Sequence, residues 1–176
     1  MTVFHATLPL ESHGGTPSFI DITEHVRRAV ADSGIHNGIC TVMSPHTTCS
    51  VYYDEYAHDQ VADGSDFLQH DLNQVLGKIV PEQREFPPAD GYTYPGEQHF
   101  QAVESWSNAN EYLPGGDRSQ LLNADAHLKS TLVGTSQSFP IIDGELGFGV
   151  TGYIFFADWD RARARIRKCH ITILGE

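Results

Sequence analysis

From residue 136 onward the chain carries β-rich runs in close succession, at 136–142, 145–148, 152–157 and 165–174. Asp143-Gly144, between the first two, is the dipeptide of a tight hairpin turn. Upstream, 2–8, 18–20, 38–44 and 48–53 read as further strands. One helix is expected to start at Asp21, with Glu24 at capping-box spacing. It would bury Ile22, Val26, Ala29 and Val30, and close at Gly34. Another places Leu68, Leu72, Val75, Leu76 and Ile79 at helical spacing and stops at Pro81. A third is plausible over 119–132. Strands and helices do not alternate as βαβ units, so the class is α+β, one domain over 1–176, with a largely antiparallel sheet or sandwich.

Residues 82–118 have no sustained period. Pro87, Pro88, Pro95, Pro114 and Gly115-Gly116 make this a long irregular insertion, with 100–106 the best place for a short element. Insertions of this length are functional or mobile.

Composition removes several classes. Hydrophobic residues at 40%, with 9 Phe, 7 Tyr and 2 Trp, fill a core, which excludes disorder throughout. A net charge of −12 argues against a general nucleic-acid binder. No apolar run approaches the roughly twenty residues of a membrane helix. The N-terminus shows no basic segment followed by an apolar one, so no secretory signal is expected. Cys40, Cys49 and Cys169 are scattered singly, which suits core packing and the cytoplasm.

Chemistry concentrates in the histidines and arginines. Pro45-His46-Thr47-Thr48 forms a polar corner at a strand end, with one imidazole and two hydroxyls. Asn123 and His127 are i and i+4 on the third helix, so they share a face. Glu55 and Asp71 are candidate acids. Arg161, Arg163, Arg165 and Arg167 enter the last strand at every second position, a ladder too cationic for core. It suits either an oxyanion held bidentately or the acids of another subunit. In the strand itself Cys169, Ile171 and Ile173 face one way, and Lys168, His170 and Thr172 the other. The signatures G-x-G-x-x-G, P-loop, H-E-x-x-H and G-x-S-x-G are absent.

Taken in order, these segments resemble the YjbQ family, also called UPF0047 or secondary thiamine-phosphate synthase. The resemblance rests on Pro45-His46-Thr47-Thr48, Asp54-Glu55-Tyr56-Ala57 and His70-Asp71-Leu72. It rests also on Asn123-Ala-Asp-Ala-His127-Leu-Lys129, Asp143-Gly144-Glu145-Leu146 and Ala157-Asp158-Trp159-Asp160 with its arginines. It covers nearly the whole chain outside 82–118.

The resemblance implies a YjbQ-like antiparallel β-sandwich with helices on its faces, assembled as a homotrimer. It implies a divalent metal, with zinc the expected ion, held by His46 and His127. His99 is the histidine available as third ligand. Glu55 and Asp71 take the acidic catalytic positions; Thr47, Thr48, Asn123, Arg163 and Arg165 take the substrate- or anion-binding ones. The implied partner is a small phosphorylated molecule. The activity attached to the family joins a hydroxymethylpyrimidine diphosphate to a thiazole phosphate, which asks for stabilisation of departing pyrophosphate. The alternative is a non-catalytic homotrimer that binds a metal or an anion. The family's L-G-T-W-Q stretch is replaced near Gly149-Val150-Thr151-Gly152, and its D-G-P-R motif by Asp160-Arg161-Ala162-Arg163.

Overall fold

The computed structural model describes residues 1–85 and 91–176. Pro87 and Pro88 of the expected insertion therefore lie outside the described residues. The elements run β1 (Thr2–Ser12), β2 (Ser18–Asp21), α1 (Thr23–Ser33), β3 (Gly38–Met43), β4 (Cys49–Glu55), α2 (Phe67–Ile79) and α3 (Glu97–Glu104). There follow α4 (Ala109–Tyr112), two 3-10 turns (Pro114–Gly116 and Arg118–Leu121), α5 (Ala124–Val133), β5 (Ser136–Ile142), β6 (Glu145–Leu146), β7 (Gly152–Asp158) and β8 (Arg165–Gly175).

The strands form two antiparallel sheets, ordered β1-β8-β3-β5-β6 and β2-β7-β4. This is the expected α+β class. Alternation assigns each side chain a layer. Cys40 and Val42 of β3, Val51 of β4, Ile154 and Phe156 of β7, and Cys169, Ile171 and Ile173 of β8 meet between the sheets, closed by Ile22, Val26 and Val30 around α1. Tyr52, Phe155 and Ala157 point from the other face of the three-stranded sheet to meet Leu76 of α2 and Ala126 of α5. The three-stranded sheet is therefore covered on both faces, and β7 is buried from Ile154 through Asp158. The three cysteines are free and buried. Burial pushes the Cys40 and Cys169 thiols up to about 12, which suits packing and not nucleophilic work.

Three local readings change. The α1 capping box does not form: Asp21 Oδ1 instead accepts from the Thr23 amide (2.9 Å) and hydroxyl (2.6 Å), and Glu24 ion-pairs with Arg27 at 3.4 Å. Gly34 closes the helix at φ 65°, as a left-handed C-cap should. The apolar stripe expected on α2 is split, with Leu72 and Leu76 packed inward against the second core cluster. Gln69 and Leu76 are the buried positions, while Leu68, Val75 and Ile79 are exposed, Ile79 by 69%. Periodicity found the helix and part of its buried face, but the repeating stripe is wider than the face this chain covers.

The described part of the 82–118 stretch is more ordered than its composition suggests. Phe100 and Val103 of α3 pack with Leu113 and Leu121 in a small core of their own. Arg118 clamps it from outside, donating to Glu97 and Glu104 and lying 4.7 Å over the Phe100 ring. No helix among the described residues is long and apolar enough to cross a membrane.

Candidate functional site

Pairing of Cys49 with Asp158 brings the start of β4 beside the end of β7. The Pro45–Thr48 corner and the Asp158–Asp160 segment therefore sit at one end of the sandwich, and the Trp159 amide donates to the Thr48 carbonyl at 3.0 Å. The N-terminal end of α5 and the 94–121 segment close over them. The result is a cavity of about 290 Å³ lined by His46, Thr47, Thr48, Asn123, His127, Arg165 and Arg167, with Tyr94, His99, Trp106 and Tyr112 on its other wall.

The two arginines are fixed from behind by buried carboxylates. Arg167 donates from Nε (2.6 Å) and Nη2 (2.8 Å) to Asp158, a forked pair almost without solvent, and from Nη2 to Thr48 Oγ1 (3.2 Å). Arg165 Nη2 donates to Asp160 Oδ2 at 2.8 Å. The same oxygen accepts from Asn123 Nδ2 at 2.8 Å. That contact fixes the amide, because a carboxylate can only accept. Asn123 Oδ1 is then left buried without a partner, as is Arg165 Nε. Buried polar atoms of native folds are nearly always satisfied, so an orphan acceptor and an orphan donor beside one cavity give it unused hydrogen-bonding capacity.

Hydrogen bonding also sorts the histidines. His46 Nε2 accepts the Lys168 amide at 2.9 Å, so in the neutral ring Nδ1 carries the proton and His46 is a donor. One nitrogen of His127 is hydrogen-bonded to the Thr47 backbone; a ring that donates to a carbonyl keeps a lone pair on its second nitrogen. His99 Nε2 lies 3.0 Å from the Tyr94 hydroxyl, and the Tyr94 ring is tilted against His99 and stands edge-on to His127. The three histidines thus reach one cavity, yet the described residues contain no group of three His, Cys, Asp or Glu placed to hold a metal ion. In this arrangement the donor set does not fit a three-histidine zinc.

Burial lowers the pKa of both His46 and His127. Arg167, Lys168 and His170 add to this at His46, against Asp158; Arg165 and His99 add at His127, against Asp160 and the Thr47 backbone. Both rings are therefore neutral near pH 7. A folded-state pKa below the unfolded value of about 6.5 means the unfolded chain binds more protons, so stability falls as pH drops through that value. Urea midpoints measured between pH 8 and pH 5 should show this loss, and His46→Gln should flatten it. A slope unchanged in that variant would show the ring is not responsible.

Other expected site residues lie elsewhere. Arg163 does not line the cavity: its guanidinium donates to the Glu111 carbonyl, the Tyr112 carbonyl at 3.3 Å and Gln120 Oε1 at 3.5 Å, tying down α4. Arg161 donates to the Gln83 carbonyl at 2.9 Å and lies 3.7 Å from Asp125. The four-arginine face therefore exists only from Arg165 on, where β8 begins. Glu55 is exposed at the far end of β4, about 20 Å of strand from the corner. Asp71 is exposed on α2, and neither lines the cavity. Tyr94 and Trp106 were not among the expected site residues, and Arg167 was expected only as one rung of the arginine ladder. Arg167 was legible, since 165, 167, 169, 171 and 173 share one parity; the aromatics carried no periodic signal.

Together these features define an α+β sandwich protein with a polar, arginine- and histidine-lined cavity at one end of its sheets. The model of the UPF0047 protein YjbQ-like family matches residues 7–176, and the chain belongs to that family. It is 28% identical to a UPF0047 protein of Methanocaldococcus jannaschii, over 89% of this chain and 85% of that one. It is 26% identical to the UPF0047 protein YugU of Bacillus subtilis, covering 89% of each. Among solved structures, a YbjQ-like protein of unknown function from Sulfolobus solfataricus superposes with a TM-score of 0.65, at 24% identity over 99% of this chain and 100% of that one. An uncharacterized YjbQ/UPF0047 protein from Clostridium acetobutylicum gives 0.63, at 25% identity, over 96% and 99%.

Proposed function

We propose that the cavity binds a small phosphorylated molecule and promotes displacement or hydrolysis at its phosphate. The observation that carries this reading is the pair of orphan polar atoms, Arg165 Nε and Asn123 Oδ1, buried where two arginines and two histidines converge. Arg165 and the His46 Nδ1–H are placed to donate to phosphate oxygens, with Arg167 behind them as fixed positive charge. Asn123 Oδ1 accepts a hydroxyl or N–H of the ligand. The His127 lone pair takes the proton from an attacking water or hydroxyl, while the leaving oxygen keeps the electrons of the broken bond, that of phosphate or pyrophosphate in a displacement and that of the alcohol in ester hydrolysis. Asp158 and Asp160 neutralise the guanidiniums, so affinity comes from aimed donors more than from net charge.

Release of inorganic phosphate from pyrophosphate and simple phosphate esters tests the reading. His127→Gln should lower the rate by about 10²-fold or more while leaving binding in place. Binding with no release by the wild type would favour the non-catalytic alternative. No step here runs through a metal. Elemental analysis of the wild type beside His46→Ala and His127→Ala checks the zinc implied by the family resemblance; about one equivalent lost in both variants would reinstate it.

Self-association is proposed on separate grounds. Leu68, Val75 and Ile79 on α2 and Leu128 and Leu132 on α5 are exposed, and an apolar surface of this kind is ordinarily covered. Val75→Asp with Ile79→Asp should lower the mass seen by light scattering from a trimer to a monomer. An unchanged mass would place the interface elsewhere.

A further inference from the structure

Side chains two apart on a helix point about 200° away from each other. On α5, His127 faces the cavity just described, and Lys129 faces the opposite side. There a second cavity, of about 420 Å³, opens between α2 and α5, lined by Asn73, Gln74, Lys78, Glu82, Arg84 and Lys129 among others.

Lys129 is only 3% exposed. Its ammonium has three protons to donate, and Asn73 Oδ1, at 3.3 Å, is its one hydrogen-bond acceptor among the described residues. The Trp159 ring lies 6.0 Å from it, and the carboxylates of Asp125 and Glu82 act on it through space. Asp125 is shared with Arg161, and Glu82 with both Arg161 and Arg84. Among the described residues the lining therefore sets the ammoniums of Lys78 and Lys129 beside the single carboxylate of Glu82, which Arg161 also draws on, in a chain of 23 acidic and 11 basic residues. A nearly buried ammonium with unused donors, facing an open polar cavity of net positive lining, is an incomplete arrangement.

We propose that this cavity is a second binding site, for a phosphate-bearing small molecule, with Lys129 at its floor and Lys78 at its rim. Phosphate suits it because lysine ammoniums act as point charges, and a tetrahedral phosphate presents oxygens to two of them, at floor and rim, at once. Asn73 and Gln74 supply further polar atoms for the remainder of the ligand. Nothing in the His46 cavity enters the argument, so the two sites stand or fall separately.

Calorimetric titration of pyrophosphate into the full chain tests this, with three variants beside the wild type. Lys129→Met removes the floor charge. Lys78→Glu, at an exposed helix position, reverses the rim charge without touching the core, so it remains informative if the buried substitution unfolds the chain. Arg165→Lys disables the first cavity alone. The wild type should bind two pyrophosphates, and each lysine variant should weaken one of them by about tenfold or more while sparing the other. Arg165→Lys should weaken the other. A single wild-type site, lost in Lys78→Glu and kept in Arg165→Lys, would support the second site and sink the first. Two sites unchanged in both lysine variants, or one site lost only in Arg165→Lys, would overturn the proposal.

Discussion

Replacing Arg167 with methionine should destabilise the fold by about 3–5 kcal/mol, the range seen when one partner of a buried ion pair is removed. Asp158 is fully buried, and it accepts both Arg167 bonds at 2.6 and 2.8 Å. Without them its carboxylate would keep only the Asp160 amide at 3.1 Å and the weak Cys49 thiol at 3.5 Å. Urea unfolding at pH 7 measures the loss. The double variant Arg167→Met with Asp158→Asn should recover much of it, because the uncompensated charge is then gone. A single-variant loss below about 1 kcal/mol would mean that water reaches Asp158, and that the pair is not the rigid back wall described above.

Arg165→Lys should act on binding rather than on folding. Lysine can keep the ion pair with Asp160, which sits 2.8 Å from Arg165 Nη2, but it has no equivalent of the orphan Nε. One charge-assisted hydrogen bond to the ligand would be lost, worth about 1.5–3 kcal/mol, or roughly 10- to 150-fold in the affinity for pyrophosphate. Titration calorimetry reads this directly. An affinity within threefold of the wild type, with the fold intact, would show that Nε is not aimed at the ligand.

These two arginines also show how far the sequence could be read. Parity along the last strand places Arg165 and Arg167 on the same side as Cys169, Ile171 and Ile173, facing the core. The composition argument, that such a ladder is too cationic to be inside, fails because Asp158 and Asp160 are also inside. Those partners come from the end of β7, and a pairing between strands is not visible in either strand alone. The strands were legible because each rests on local alternation, and Asn123 and His127 were paired by their four-residue spacing, although Asn123 is the N-cap of α5 and the expected helix over 119–132 starts only at Ala124. The outward part of the α2 stripe was not legible, since the hydrophobic pattern reports that a face exists and not what covers it. Glu55 misled for a related reason. It follows the right strand, but seven residues of extended chain carry it to the wrong end of the sheet. Tyr94 and Trp106 reach the cavity through the small core of Phe100, Val103, Leu113 and Leu121, which forms across a stretch rich in proline and glycine.

The central claim is that the cavity of His46, Asn123, His127, Arg165 and Arg167 receives an oxyanion. Tungstate, a heavy tetrahedral oxyanion, can be soaked into crystals of the wild type and located by its anomalous scattering. The account predicts a peak within hydrogen-bonding distance of Arg165 Nε and the His46 ring, present at pH 7 and absent in crystals of Arg165→Met. Tungstate bound only at other places, with this cavity filled by water alone, would contradict it.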